Sequence, residues 1–398
     1  MERPPSSAPS GAPRLPRTPD EIPRVFDHLG AMRERQPVVR DERRGMRTWH
    51  VFGYDDVATV LTDHSRFSSR HVLVNFSLLS DTLVAKDPPD HRKLRSLVNL
   101  AFTPRAVARL SGRVAEITQE LLDRVRGRGE MDVVADLAFP LPARVIAELL
   151  GVPREDWDIF QRWAALDANS PGGRSGFLGS AVDEIHAYFS GLLEDRRREP
   201  REDLLTALAA AEIDGERLSE HELVSFCFLL LFAGQETTKN LIANFVLTLA
   251  DHPEARDELL RRPELVPGAI EEVLRYLPPV WFLMRRTTAE VELSGVRIPA
   301  EELVVPWMAS ANRDSTQFQD PDRFDVRREP NRHLAFGHGV HFCVGAPLTR
   351  LEAQVALPMM LEQLRDLRVV RPETISIRGG IIFIIERLPV TFGAASAG

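Results

Sequence analysis

Cys343 lies in a glycine-rich segment, FGHGVHFCVG at residues 336–345, directly before a predicted helix. Glycines let the backbone approach a flat ligand closely and adopt conformations that other residues avoid. Backbone amides around the sulfur, together with the start of the following helix, stabilise its negative charge. Binding to a metal such as iron then keeps the cysteine as the thiolate. The segment therefore predicts a cysteine that binds metal.

A second motif, AGQETT at residues 233–238, lies within a long apolar segment. Gly234 and Thr237 are poor helix formers for such a position. A threonine hydroxyl can donate to the carbonyl one turn earlier and loosen the helix, which opens a small space for water or oxygen. Because Glu236 stands beside that hydroxyl, the pair can pass protons inward.

Two further spacings place polar side chains on one face of a predicted helix. Glu272 and Arg275 are three residues apart, and His91 and Arg95 are four apart. An exposed pair of this kind contributes roughly a few tenths of a kcal/mol, and such spacings are common. A surface ion pair therefore stays open as the alternative in each case.

One long helix is predicted to position these residues. Ser219 and Glu222 form a capping-box pattern, and no proline follows until Pro253. A helix of about 30 residues would be roughly 45 Å long. Its middle is apolar on nearly every face, which predicts burial through one large globule. Cys227 lies among Phe and Leu there, so core packing is its expected role.

The remaining pattern predicts a mainly α protein with small β-sheets. Short strands and a helix are expected over 36–61, strands over 289–298 with a turn at Ser294 and Gly295, and alternating strands over 375–390. Helices are expected from Pro267 to Tyr276 and from Ala346 to about Leu367, the latter kinked at Pro358. We predict a disordered Pro-rich arm over 1–23 and a single domain over 24–398.

Composition excludes several classes of function. The formal net charge of −8 argues against a nucleic-acid binder. Two cysteines cannot form a disulfide framework, so a reducing cytoplasm is the expected location. The longest uncharged apolar run, from Val224 to Gly234, is far short of the ~20 residues that span a bilayer, so no membrane anchor is expected.

Taken together, the motifs resemble those of the cytochrome P-450 superfamily. The segment around Cys343 matches the heme-binding signature of that family, with Phe336, Gly339 and Gly345 at the expected spacing. The resemblance runs from about residue 20 to about residue 393, with the motifs in the family's order. It implies a single large fold in which heme b lies between the long helix and the cysteine loop.

The resemblance also assigns roles. Thr237 would contact dioxygen and Glu236 would relay protons as the catalytic pair, and Cys343 would ligate the iron. Glu272, Arg275 and Arg323 would form a structural trio that supports the cysteine loop. Arg286 leaves the alignment of Arg285 open by one residue. The cofactor-binding set is His91, Arg95, Arg285, His341, Cys343, Phe336, Gly345, Ala233 and Gly234.

Substrate choice is expected in four stretches, 72–84, 165–177, 279–283 and 381–383, with Gly172 and Gly173 suggesting a mobile lid. Apolar walls predict a hydrophobic substrate of the steroid, terpenoid, fatty-acid or polyketide class. The pocket residues are expected to be Phe226, Leu230, Ala233, Val280, Trp281, Phe282, Leu283 and Ile382.

The implied activity is that of a monooxygenase, which inserts one oxygen atom from O2 into a C–H bond. Electrons would come from a ferredoxin or flavodoxin with an NAD(P)H-dependent reductase, docked near Arg92, Lys93 and Arg350. Epoxidation, C–C coupling or dehydrogenation on the same scaffold is one alternative. A non-catalytic heme sensor or carrier is another, against which the pair Glu236 and Thr237 argues.

Overall fold

The structure, a computed structural model, describes residues 11–42, 47–70, 81–164, 177–370 and 372–394. Its helices are α1 (Ile22–Arg35), α2 (Tyr54–Thr62), α3 (Asp90–Ala101), α4 (Pro104–Ala108), α5 (Ser111–Val125), α6 (Pro140–Leu150), α7 (Trp157–Ala164), α8 (Phe177–Arg198), α9 (Leu204–Ala210), α10 (Glu220–Leu229), α11 (Gln235–Asp251), α12 (Pro253–Arg261), α13 (Val266–Tyr276), α14 (Met308–Ala311) and α15 (Ala346–Gln363). Within the described ranges, no helix combines the length and apolar character needed to cross a bilayer.

The strands are short and form small sheets, as the sequence predicts. The strands are β1 (Val38–Asp41), β2 (Thr48–Val51), β3 (Phe67–Ser68), β4 (Glu130–Asp132), β5 (Glu212–Ile213), β6 (Glu216–Arg217), β7 (Arg285–Thr287), β8 (Val291–Leu293), β9 (Val296–Ile298), β10 (Leu303–Pro306), β11 (Leu364–Val369), β12 (Ser376–Arg378), β13 (Ile384–Arg387) and β14 (Pro389–Ala394). Among the described residues, a five-stranded sheet has the order β1-β2-β10-β7-β3, and a three-stranded sheet has the order β11-β14-β4; the other pairs are β5–β6, β8–β9 and β12–β13.

A single helical rod runs through the main apolar core. The predicted capping box is present, because Ser219 Oγ accepts from Glu222 N and Glu222 Oε2 accepts from Ser219 N at 2.8 Å. Helix α10 then passes through a π-helical turn, Leu230–Gly234, into α11. We call residues 220–251 the central helix. Cys227 is 0% exposed within it, which agrees with a packing role.

Two predicted boundaries are corrected by the structure. Helix α15 ends at Gln363 rather than near Leu367, because the next residues pair with β14 and strand hydrogen bonds replace helical ones. The arm predicted as disordered over 1–23 has a defined conformation over 11–23. Leu15 packs against the core and on Gly379, where an added Cβ would lie 2.5 Å from Leu15 Cβ. Residues 1–10 lie outside the described residues.

Candidate active site around Cys343

The cysteine loop, residues 336–345, is held in a tight turn by its own backbone. Cys343 N donates to Phe336 O at 2.9 Å. Gly337 and Gly339 have φ angles of 72° and 68°, in the left-handed region that favours glycine. A Cβ on Gly339 would lie 3.0 Å from Cα of Thr62, so α2 closes off that side of the loop. The glycines therefore serve the turn and a close backbone approach.

Cys343 is half-buried, and its sulfur lies beside hydrogen-bond donors and positive charges. Burial raises the pKa of the Cys343 thiol, whereas hydrogen bonds from the N–H groups of Gly345 and Ala346 and the positive charges of Arg95 and Arg350 lower it. Burial also raises the pKa of Cys227, whose surroundings are the apolar core. Of the two cysteines, Cys343 is therefore the one equipped to carry negative charge.

Cys343 and the middle of the central helix line the same cavity, which has a volume of about 310 Å³. Leu230, Ala233, Gly234 and Thr237 contribute from the helix. Most other lining side chains are apolar, so the space beside the sulfur is mainly apolar. They include Leu83, Val84, Leu229, Leu274, Pro279, Val280, Leu283, Met284, Met308, Ala335, Phe336, Val344 and Ile381.

The helix is loosened at the position where the sequence predicts an opening. Thr237 Oγ1 donates to Ala233 O at 2.8 Å, directly after the π-helical turn. Thr237 lines the cavity, but Glu236 does not. Its Oε1 instead accepts from Lys239 Nζ at 2.6 Å and from Asn240 Nδ2 at 3.3 Å. The predicted catalytic pair is therefore divided between the cavity and a buried polar cluster behind it.

Three cationic or hydrogen-bonding side chains, Arg95, Arg285 and His341, line the cavity, and His91 packs beneath them. The ring centroids of His91 and His341 are 4.3 Å apart. Burial lowers the pKa of His91 to about 4 and that of His341 to about 3, with nearby arginines adding to both shifts. Burial also lowers the pKa of Arg285 to about 10.

These side chains lack anionic partners in the described part of the chain. Neither ring nitrogen of His91 has a hydrogen-bond partner there. Arg95 donates to the carbonyl of Phe342 and Arg285 to that of Met284, both at 2.8 Å, and no carboxylate lies within 4 Å of either. Donors of this kind, two of which, His91 and Arg285, are buried, favour an anionic ligand. These donors and the cavity beside Cys343 therefore fit a flat ligand with anionic groups, such as heme.

The side chains of Arg285 and Arg286 point to different sides of strand β7, which indicates which of the two arginines faces the cavity. Arg285 is 7% exposed and lines the cavity. Arg286 donates instead to Glu301 O at 2.9 Å, on the outer side of the sheet. Alternation along β7 explains the difference, because neighbouring side chains of a strand point to opposite faces.

The trio predicted to support the loop needs one correction. Glu272 and Arg275 are fully buried and joined by two hydrogen bonds of 2.8 Å. The side chain of Arg323 is 69% exposed and lies near Asp325, so its assignment as third member is wrong. Arg328 takes that place, with Nε at 3.1 Å from Glu272 Oε1. Arg323 contributes only its carbonyl, which accepts from Arg275 Nη2 at 3.0 Å.

The predicted substrate pocket is also corrected in part. Leu230, Ala233, Val280 and Leu283 line the cavity, whereas Phe226, Trp281, Phe282 and Ile382 are absent from its described lining. The 0% exposed Trp281 stacks on Phe383 at 5.1 Å. Phe282 turns to Trp307 at 4.6 Å, and Ile382 bridges to Val280 while its neighbour Ile381 lines the wall. Phe226 lies about one helical turn before Leu230, on the N-terminal side of the helix residues that line the cavity.

Residues 72–80 and 165–176 of the predicted substrate stretches, with Gly172 and Gly173, lie outside the described residues.

The three cations suggested for partner docking differ in their surroundings. Lys93 pairs with Glu216 at 2.9 Å. Arg350 binds Glu271 through bonds of 2.7 and 2.8 Å and lies over the ring of Phe336. Arg92 is exposed and has no ion pair with any residue that the structure describes. Arg350 thus supports the cysteine loop, and Arg92 is the freest of the three for docking.

Sequence reasoning missed two residues of the site. Lys239 could have been noticed as a cation three residues after Glu236 on the same helix. Thr349 lines the cavity and pairs with Thr238 at 3.1 Å, a contact between distant segments that no local spacing indicates.

Comparison with known proteins gives consistent matches. The family model described as cytochrome P-450 matches residues 158–392. The chain is 40% identical over 396 residues to the erythromycin C-12 hydroxylase of Saccharopolyspora erythraea, covering 95% of this chain and 98% of that protein. It is 42% identical over 355 residues to the mycinamicin IV hydroxylase/epoxidase of Micromonospora griseorubida, covering 87% and 89%.

The fold is also similar to that of solved structures. The crystal structure of CYP109E1 from Bacillus megaterium in complex with testosterone aligns with a TM-score of 0.86 and 38% identity, over 93% of this chain and 99% of that one. The region matched by the family model includes both the central helix and the cysteine loop.

Proposed function

Since the chain belongs to the cytochrome P-450 family and is a heme b monooxygenase, we propose that it inserts one oxygen atom from O2 into a C–H bond of a hydrophobic small molecule. The observation that carries this proposal is the shared cavity, in which Cys343, Thr237 and mainly apolar side chains meet. A thiolate, a hydroxyl and a dry space are what such a reaction requires of the protein.

The residues in and around the cavity would have the following roles. Cys343 would ligate the iron, and Arg95, Arg285, His341 and His91 would hold the propionates. The backbone and rings at Phe336, Gly345, Ala233 and Gly234 would flank the macrocycle. When bound, a thiolate-ligated heme supplies the activation of dioxygen. Glu272, Arg275 and Arg328 would keep the cysteine loop in place. Residues 24–398 would form a single domain.

Proton supply is the chain's own part of the reaction. Thr237 can offer its hydroxyl to the cavity by releasing the carbonyl of Ala233. The carboxylate of Glu236 lies outside the cavity lining and accepts a hydrogen bond from Lys239. A turn of that side chain away from Lys239 would let it pass a proton toward Thr237. Apolar walls keep bulk water from competing for the same protons.

The substrate is proposed to be a polyketide or steroid. The mainly apolar lining favours a hydrophobic molecule. The relatives' names support the same two classes, because they include an erythromycin hydroxylase and a protein crystallised with testosterone. Epoxidation in place of hydroxylation has a specific precedent in the hydroxylase/epoxidase named for mycinamicin IV.

The test is a ligand screen followed by product analysis. Binding of a substrate is expected to shift the Soret band, and turnover with a surrogate ferredoxin is expected to add one oxygen atom to the product mass. Loss of two hydrogens would indicate coupling or dehydrogenation. NADH consumption coupled to product would exclude a sensor or carrier, whereas neither NADH consumption nor product with any ligand that binds would favour one.

A paired cysteine experiment tests the ligand assignment. In reduced protein with carbon monoxide, Cys343→Ala is expected to lose the red-shifted band of thiolate ligation. Cys227→Ala should keep it, because that thiol is buried in the core away from the cavity. A thiolate-type band in Cys343→Ala would remove the basis of the proposal.

Electrons are proposed to come from a ferredoxin or flavodoxin with an NAD(P)H-dependent reductase, in a reducing cytoplasm. Docking on the cysteine side would use Arg92. Arg92→Glu should slow electron transfer and weaken its salt dependence. Arg297→Glu, a reversal at a 75% exposed arginine on β9, is the matched control and should leave both unchanged. Equal behaviour of the two variants would place the docking surface elsewhere.

A further inference from the structure

Three polar side chains follow one another along the C-terminal half of the central helix, behind the pair Glu236 and Lys239. Asn240, Asn244 and Thr248 are four residues apart and therefore share a helix face. Their exposures are 0%, 0% and 3%. Successive members are about 6 Å apart along the axis. We call these three residues the polar column.

Both asparagines of the column are hydrogen-bonded to the backbone, but two polar atoms of the column have no partner among the described residues. Asn240 Nδ2 donates to Glu236 O at 2.7 Å, and its Oδ1 accepts from Ile385 N at 3.0 Å. Asn244 Nδ2 donates to Leu277 O at 2.8 Å. In the described part of the chain, Asn244 Oδ1 and Thr248 Oγ1 are buried with no hydrogen-bond partner. Each such group destabilises the fold if it stays without a hydrogen-bond partner.

Beyond Thr248 the column reaches a cleft at the surface, with a volume of about 620 Å³. Thr248 and Leu277 line its inner end, and Asp251 and His252 line it further out. Burial raises the pKa of the Asp251 carboxyl. The cleft therefore offers water and titratable groups at one end of the column, while Glu236 stands at the other.

We propose that ordered water molecules complete the polar column and conduct protons from this cleft to Glu236. A water that hydrogen-bonds a polar group on each side, at roughly 2.8 Å each, spans about 5–6 Å, which is close to the spacing of the column. Buried water commonly satisfies polar groups that the protein leaves unpaired. Asn244 and Thr248 are positioning residues in this scheme, since they orient water rather than touch the reacting atoms.

The proton balance fits the reaction. Inserting one oxygen atom and releasing the other as water consumes two electrons and two protons per O2. An asparagine amide does not relay protons, so the waters must hydrogen-bond to one another along the column, with the column's side chains holding them in line. Each water accepts one proton and passes one on, and the last water protonates the Glu236 carboxylate, which then gives that proton up toward Thr237. This inference rests on the proposed function, because only turnover creates that demand for protons.

The first test does not depend on activity. A crystal structure of the holoenzyme at a resolution that shows single waters should contain waters bonded to Asn244 Oδ1 and Thr248 Oγ1, continuous with the cleft. A well-ordered but dry column would overturn the proposal, whatever the enzyme does in solution.

The second test compares Thr248→Val with Ser225→Ala. Both remove a buried hydroxyl without a described partner from the same helix, but Ser225 lies on the far side of the cavity residues from the column. Thr248→Val should raise several-fold the share of NADH electrons that end in peroxide and should enlarge the solvent isotope effect. Ser225→Ala should match the parent in both.

The outcomes separate this inference from the proposed function. A parent enzyme that makes product while Thr248→Val behaves like Ser225→Ala would overturn the water route and leave the function intact. A parent that makes no product would overturn the function, and the crystallographic waters would then decide the column alone. Asn244→Leu serves as a second variant, with the same direction expected.

Discussion

Nε of Arg328 lies 3.1 Å from Oε1 and 3.2 Å from Oε2 of Glu272, and their side chains are 9% and 0% exposed. Arg328 also donates to the carbonyls of Gln319 and Asp320. One guanidinium thereby ties the loop before the cysteine segment to helix α13. Arg275 binds the same carboxylate from within α13, so Glu272 is shared by two arginines.

This sharing predicts unequal effects at two nearby arginines. Arg328→Ala should lower the free energy of unfolding by about 3 kcal/mol, because it leaves the buried Glu272 carboxylate partly unpaired. Arg323→Ala removes a side chain that is 69% exposed and should change stability by no more than about 0.5 kcal/mol. Urea unfolding of both variants measures the difference. Equal losses would mean that Arg323 belongs to the network after all.

A second contrast concerns heme binding at strand β7. Arg285→Met should weaken heme affinity about tenfold or more, since a charge-assisted bond contributes about 1.5–3 kcal/mol. Arg286→Met is the matched control, because that side chain bonds Glu301 outside the cavity. Titration of the apoprotein with heme, followed by the Soret band, gives both affinities.

The apoprotein adds an independent check on Arg285. Burial lowers the pKa of its guanidinium more than the charge of Asp87 raises it, and no described carboxylate lies within 4 Å, so removing it should not destabilise the protein before heme binds. A variant with lower apoprotein stability and unchanged heme affinity would make Arg285 structural instead.

The ion pair beneath the cysteine loop predicts a pH dependence. Burial opposes ionisation of Glu271, but bonds from Arg350 and His333 outweigh it and hold the pKa of this carboxyl at about 2, below the ordinary 4.5. A lowered folded pKa stabilises the protein above about pH 4.5, and the contribution is lost as pH falls toward 2. It amounts to at most about 3 kcal/mol, less after solvent screening.

Glu271→Gln should therefore be less stable than the parent at pH 6 and approach it at pH 3. Unfolding midpoints in urea at the two pH values measure the change. A stability difference that stays constant between them would show that the carboxylate contributes through packing and not through its charge.

The sequence predicted those features that depend on local pattern. The capping box at Ser219, the break at Gly234 and Thr237, and the turn around Cys343 all involve residues close in the chain. The helical fold with small sheets and the heme cofactor are confirmed on the same grounds. Each of these patterns indicates a local backbone preference, and the tertiary contacts of the fold favour the same conformation.

The errors share a different cause, because each depended on contacts between distant segments. Arg328 replaces Arg323 since the loop after β10 folds back on α13, which no spacing indicates. Trp281 and Phe282 are apolar, as a pocket would require, yet their rings pack on Phe383 and Trp307 instead. Apolar character predicts burial but does not indicate which side chains face a cavity.

The pair Glu236 and Lys239 provides a last prediction, because it can be tested for structure and for catalysis separately. Glu236→Gln should slow product formation by about a hundredfold or more, as expected for the loss of a general acid. Lys239→Met should lower stability by about 2 kcal/mol, since it leaves a carboxylate that is 21% exposed with fewer partners. Thr237→Val should keep NADH consumption but divert electrons to peroxide.

The double variant Glu236→Gln/Lys239→Met decides between the two roles of the pair. Removing both charges leaves no unpaired ion, so stability should return close to that of the parent while product formation stays as slow as in Glu236→Gln. Unfolding in urea and product yield per NADH are measured on the same preparations. Glu220→Gln, at an exposed acid on the same helix, is the control and should match the parent in both. If the double variant regained turnover along with stability, the carboxylate would serve only to neutralise Lys239, and proton supply to Thr237 would need another source.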